Sequence, residues 1–409
     1  MQKGKNCREA FGGTYHVLLK GRSSMATPEI TFFPVGNGDM TLIKFSSGRT
    51  ILIDINIRQP GDGVRDVLKD LRERLNEDEE GRPYVDVMVL SHPDQDHCRG
   101  LREHFYLGSL TNYPTKGEPS KIVIREMWSS PLVFRRASKY HTLSDDARAW
   151  NTEAKRRVAL FREEGELEDG DRILIMGEDA DGKTDDILDI VVKTDQRITT
   201  VAGKEQQNFS ALLLAPMPAD DEHDADELSK NESSIIINYS IGTGAVADAV
   251  KFLSGGDAEV YIWEKQWKRH KNDTSALEYD LLSTPHHCSW HTLSWHSWSK
   301  MKGDAEVSSD ARNALSQTRA GAYIVASSNS ILDDDNDPPC IRAKREYEDI
   351  AKAASGKFVN TSVHPSEKNP EPMVFEVTSG GAKAKWKVAA TPAAAGAAAA
   401  FGSKPLSHG

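Results

Sequence analysis

Short apolar runs, broken by glycine, serine and charged turns, recur along this chain and read mostly as strands. Residues 30–35 open as a strand and run into Gly36-Asn37-Gly38-Asp39, a turn that needs glycine's freedom. Residues 41–45 and 50–54 read as two strands joined by Ser46-Ser47-Gly48. Over 62–77, Val64, Val67, Leu68, Leu71 and Leu75 recur at helical spacing, with charge on the other face. Tyr84-Val85-Asp86-Val87-Met88-Val89-Leu90 then reads as a buried strand.

Residues 121–128 predict a strand, 145–164 a charged helix capped by Ser144, and 170–176 and 187–192 two more strands. Further on, 233–239 and 249–253 pair as strands, and an amphipathic helix runs through Trp267. A short strand over 279–282, a later one over 322–326, a helix over 340–354 and a pair at 373–377 and 384–388 complete the pattern. A meander followed by alternating strands and helices predicts an α/β protein, an αββα sandwich of two stacked mixed sheets flanked by helices.

Composition narrows the class. The 409 residues can bury a large core, and no apolar run is long enough for a transmembrane helix, so membrane insertion is not expected. Residues 1–27 read as a flexible extension, with Met25 a second possible start, and the Ala/Gly/Pro-rich 389–409 as a disordered tail. The domain between, 28–388, carries a helical insertion around 101–200. Four scattered cysteines suit a reducing cytoplasm. A net charge of −11 argues against broad nonspecific coating of nucleic acid, though not against a local basic groove. His223 sits in an exposed acidic run, 217–227.

Chemistry concentrates in Ser91-His92-Pro93-Asp94-Gln95-Asp96-His97. Pro93 stops regular structure, so two imidazoles and two carboxylates leave the strand end on a tight loop. Packed together without a cation, the carboxylates would repel. Two more strand ends hold ligand-type residues, Asp257 and the His286-His287 pair. Together the three loops describe one metal-lined edge.

These motifs resemble a known family. HPDQDH (92–97) resembles the HxHxDH signature of the metallo-β-lactamase fold, in the HxDxDH form of ComEC-type DNA-uptake proteins. VGNGDMTLIKFSSGRTILID (35–54), LSGGDAE (253–259) and STPHHCS (283–289) resemble that family's other motifs, in order, over roughly 28–330, without its membrane channel. The resemblance implies His92, Asp94, Asp96 and His97 as metal ligands, Asp257 as a bridging carboxylate, and His286 or His287 completing the second site. Asn231 stands where a lactamase-type enzyme places a histidine. With Asp94 also replacing a histidine, the ligand set becomes oxygen-rich and favours manganese ahead of zinc, magnesium being a further candidate, as one ion or two.

The implied activity is hydrolysis by a metal-activated water that Asp96 orients, with His286 or His291 protonating the leaving group. A phosphodiester in a nucleic acid or nucleotide is the leading substrate. A carboxylic ester, thioester or lactam is the alternative within the enzymes, and an interaction subunit with a partner protein the alternative outside them. Cys98 and Cys288, each next to a ligand motif, read as small buried packers. Asp39 and Asp54 read as turn or supporting residues. The run Trp290, His291, Trp295, His296, Trp298 reads as core tryptophans or a base-stacking surface, and Arg135-Arg136 with Lys139 as a solvated face or a phosphate contact.

Overall fold

Alternate side chains of a strand point to opposite faces, and here both faces are buried. The computed structural model describes residues 26–61, 63–114, 120–134, 143–179, 182–217 and 233–386. In the first large sheet the neighbours run Val191–Val192, Arg172–Met176, Ile122–Ser129, Pro83–Leu90, Thr50–Ile53, Thr41–Lys44, Glu29–Phe32, Met373–Thr378 and Gly381–Ala384. The half from Val191–Val192 to Thr50–Ile53 is parallel and the rest antiparallel. In the second sheet Arg197–Ile198, Phe209–Ala215, Ile236–Ile241 and Val250–Ser254 are antiparallel, followed by the parallel Tyr279–Ser283, Thr318–Ala326 and Lys357–Asn360.

The pleat sorts the core into layers. Ile51, Ile53, Val87 and Val89 of the first sheet meet Ile237, Phe252, Leu281 and Val325 of the second in one inter-sheet cluster. Their neighbours Leu52, Met88 and Leu90 turn outward, onto a cluster holding Leu71, Trp150 and Val158. Leu253, Leu282 and Ile324 turn outward on the other side, onto Trp263, Ala311 and Tyr347. The outer layers are therefore helical: Val67–Arg72 and Asp145–Glu164 on one side, Val260–His270, Ser309–Leu315 and Ile341–Ala353 on the other. This is the αββα sandwich of two stacked mixed sheets flanked by helices that the sequence predicts. Among the described residues no helix is long and apolar enough to cross a membrane.

Local signals hold where capping chemistry is explicit. The Ser144 hydroxyl accepts the Ala147 N–H to start the long helix, and Gly165 ends it. The helix expected over 62–77 shrinks to Val67–Arg72, because Asp66 caps it late by accepting the Lys69 N–H. After it, Asn76–Glu77 pairs as a strand against Tyr84 and Pro83. The terminal pair closes earlier than expected, at Gly381–Ala384. Residues 1–25 of the N-terminal extension, the tail, residues 218–227 of the acidic run with His223, Asn231, and Arg135, Arg136 and Lys139 all lie outside the described residues.

Candidate metal centre

Parallel strands end at the same rim, and their following loops carry the chemistry. Pro83–Leu90 delivers His92 to His97, Val250–Ser254 delivers Asp257, Tyr279–Ser283 delivers His286 and His287, and Thr50–Ile53 delivers Asp54. Backbone contacts lock these loops together. Ile235 N–H donates to the Ser91 carbonyl (2.9 Å) and His286 N–H to the Gly256 carbonyl (3.0 Å). Gly256 has φ +49 and leaves only 3.0 Å between a hypothetical Cβ and Ser91 Cβ, so the close approach of the two loops depends on glycine. Asp54, His286, His287 and Cys288 all hold left-handed φ of 48–68°, a concentration of backbone strain at the rim.

Asp257 is the hub. Its Oδ2 lies 3.4 Å from His92 Nε2 and 3.7 Å from His286 Nε2, and its Oδ1 lies 3.0 Å from His97 Nε2 and 3.4 Å from His287 Nε2. An imidazole pair thus faces each carboxylate oxygen. His287 Nε2 is also 3.4 Å from Asp96 Oδ2 and 3.3 Å from His97 Nε2. Asp94 stands farther out, 3.9 Å from His92 Nε2, with its side chain 38% exposed. Asp96 also reaches the surface, and His286 is the most exposed of the four imidazoles.

The ring orientations are set from behind. His97 Nδ1 donates to Asp54 Oδ2 (2.8 Å). The Ser91 hydroxyl donates to the same oxygen (2.6 Å) and is left to accept from His92 Nδ1 (3.1 Å). With Nδ1 as the donor, the neutral tautomer of each ring turns Nε2 toward Asp257 as an acceptor. His286 Nδ1 faces Glu259 at 3.4 Å. His287 Nδ1 instead accepts the Gly38 N–H (3.2 Å), which leaves the neutral ring's proton on Nε2. Cation uptake at that atom requires Nδ1 to change from acceptor to donor.

A divalent cation fits this donor set. His92 Nε2, Asp257 Oδ1 and Asp39 Oδ1 are buried without a hydrogen-bond partner, a costly state that a cation removes. Asp39, His97, Asp257 and His287 place one ligand atom each within 4.8 Å of one another. Asp39, read from the sequence as a turn or supporting residue, thus joins the ligand atoms. Its place in the Gly-Asn-Gly-Asp turn was the available signal. Asp54 takes the supporting role.

Charge follows the same geometry. Burial alone would raise the Asp257 carboxyl, but His97, His287 and His92 overcome it and hold the group well below the usual carboxylate range. Burial opposes a proton on His97, yet Asp257 and Asp54 raise its affinity well above that of a free imidazole. Burial, offset in part by His287 and His97, pushes Asp39 to about 6. The thiols play no such part. Burial pushes Cys98 to about 12 and Cys288 well above an ordinary thiol, so neither supplies a thiolate at neutral pH.

The remaining sequence candidates separate. His291 lies 3.9 Å from Asp337, on the loop after the histidine pair. Asp337 itself accepts from the Ser289 hydroxyl (2.7 Å) and the Trp290 N–H (3.0 Å), so it braces the loop after the histidine pair. Trp290 is buried, whereas Trp295 is 58% exposed beside Tyr261.

No family model and no curated protein matches this chain. Among solved structures it is similar to a mutant of CmlA beta-hydroxylase, at 10% identity and TM-score 0.36, over 86% of this chain and 54% of that one. This chain thus spans about half the length of that protein. It is also similar to unliganded yeast PDE1, at 12% identity and TM-score 0.37, over 82% of this chain and 98% of that one. The ComEC-type resemblance therefore stands on the motifs alone.

Proposed function

We propose that the chain is a metal-dependent hydrolase that attacks phosphodiesters of a nucleic acid or nucleotide with a metal-activated water. The observation that carries this reading is the buried Asp257 carboxylate with two imidazoles on each oxygen. When bound, a divalent cation supplies Lewis-acid activation of water and of a phosphoryl oxygen. His92, Asp94, Asp96, His97, Asp257 and His287 would hold it, with Asp39 joining them; His286 serves the leaving group instead. Four carboxylates beside four imidazoles make the set richer in oxygen than a histidine-dominated zinc site, which favours manganese or magnesium ahead of zinc.

The chain's own groups supply the rest. Asp96, at the mouth of the site, orients the attacking water and accepts its proton. His286, backed by Glu259 and more exposed than the other imidazoles, holds a proton at Nε2 for the leaving oxygen. Burial lowers its proton affinity, but Glu259 and Asp257 more than restore it. The three described cysteines are free and buried, which suits the cytoplasm.

Elemental analysis of the purified chain, with hydrolysis of single-stranded DNA, duplex DNA and cyclic nucleotides in Mn²⁺, Mg²⁺ and Zn²⁺, tests this reading. Asp96→Ala is expected to lower kcat by about 10²-fold or more. A metal-loaded wild type that leaves every one of these substrates untouched would sink the phosphodiester reading.

A further inference from the structure

We infer that Arg58 and Arg99 form an anion subsite beside the metal centre that holds a phosphoryl group of the substrate, an inference that rests on the phosphodiester reading above. Arg99 follows His97 by two residues, and Arg58 follows the Ile55–Asn56 strand. A parallel bridge between Asn56 and Arg99, with Ile57 N–H donating to the Arg99 carbonyl (3.0 Å), holds the two segments side by side.

Two guanidinium groups brought together in an acidic chain normally acquire carboxylate partners. Arg65, Arg82, Arg125 and Arg157 all do so here. Among the described residues Arg58 and Arg99 form no ion pair, and the buried Arg99 Nε has no hydrogen-bond partner. Asp146, which lines the same cleft together with Glu103, is committed elsewhere: it accepts from the Gln95 side chain and from the Gly100 and Arg102 N–H groups (3.0–3.1 Å). Burial and the Arg99 charge both lower the proton affinity of Arg58.

The space in front of these groups suits a nucleotide-sized ligand. Arg58 and Arg99 line a cleft of about 580 Å³, and Arg58 also borders a second of about 590 Å³ whose wall includes Asn37 and Asn329. Asn37 in the wall of the second cleft directly precedes Gly38, whose N–H donates to His287 Nδ1 (3.2 Å). A planar guanidinium fork matches phosphate oxygens in pairs, and two such forks answer more than one oxygen. An uncharged carboxylic ester or lactam offers no counterpart to them.

The test combines two measurements on the full-length chain. Calorimetric titration of inorganic phosphate into chelator-stripped protein reads the subsite without the metal. Hydrolysis of bis(p-nitrophenyl) phosphate by the Mn²⁺-loaded protein reads turnover. Arg58→Gln and Arg99→Gln are each expected to weaken phosphate binding about tenfold, and to raise KM for the diester with kcat within about twofold. Arg→Lys variants keep the charge and lose the fork. They are expected to fall between, and they replace any glutamine variant whose melting curve shows it unfolded.

Wild type that binds no phosphate, or variants that bind it as tightly as wild type, overturns the subsite. Phosphate binding that the variants lose, in a wild type that hydrolyses no diester, keeps the subsite and removes the phosphodiesterase reading. Diester hydrolysis with KM unchanged in all variants does the reverse.

Discussion

Asp54→Asn isolates the supporting shell of the metal centre. Asp54 Oδ1 accepts the Ser91 N–H (2.7 Å), while Oδ2 accepts the Ser91 hydroxyl (2.6 Å) and His97 Nδ1 (2.8 Å). All three partners donate, so an amide has no orientation that satisfies them. Its NH₂ must face either the Ser91 N–H or the pair formed by Ser91 Oγ and His97. Hydrogen bonds to a charged acceptor contribute about 1.5–3 kcal/mol each, and losing the His97 contact frees the ring to turn or change tautomer. The expected result is a loss of metal affinity of about 10- to 100-fold, equivalent to about 1.4–2.7 kcal/mol.

Backbone strain does not confound this change. Asp54 has φ 53°, a conformation that asparagine tolerates as well as aspartate, whereas alanine does not. Competition of the protein with a chelating dye for Mn²⁺ and Zn²⁺ measures the affinity, and melting curves of the stripped proteins control for folding. An Asp54→Asn protein with wild-type metal affinity and an intact fold would refute the claim that Asp54 aims His97.

Two further changes probe the scaffold. Gly38→Ala would place a Cβ 2.2 Å from Asn56 Nδ2 and 2.7 Å from the Asp96 carbonyl oxygen, at φ +145°. It is expected to cost about 1–3 kcal/mol in urea unfolding and to reduce metal retention, by displacing the Asp96 loop. Unchanged stability and metal content would show that this turn is not tightly coupled to the loop. Glu126 lies between the sheets, accepting from Trp128 Nε1 (2.5 Å), and burial raises its carboxyl from 4.5 to about 7. The folded state therefore binds this proton more tightly than the unfolded one, and stability falls as pH rises from about 4.5 through 7. The full difference is about 3 kcal/mol. Glu126→Gln keeps an acceptor for Trp128 and should flatten that slope. An equal wild-type-to-variant difference in urea midpoint at pH 5 and pH 8 would contradict it.

Local chemistry made much of this protein readable before any fold was known. Strand alternation at Thr50–Ile53 and Pro83–Leu90, and the Ser144 cap, are encoded within a few residues, because pleat and cap geometry act at that range. The ligand-type residues were legible for the same reason, since two imidazoles and two carboxylates within six residues are the residue types that a cation site needs. What separates ligand from support depends on distances between loops far apart in sequence. Asp39 and Asp54 both looked like turn or supporting residues, yet strand order leaves Asp39 Oδ1 unpartnered among the ligand atoms and turns Asp54 to the back of His97.

The same limit applies to the aromatic and basic residues. Trp290 and Trp295 read alike in one run, and only packing against the outer helices buries the first and leaves the second exposed. No periodicity distinguishes Arg58 and Arg99 from the arginines that do find carboxylates. Sequence by itself determined the layers and the chemistry each strand end carries. The tertiary structure decided which of those groups meet, because strand order within two facing sheets sets every distance across the rim.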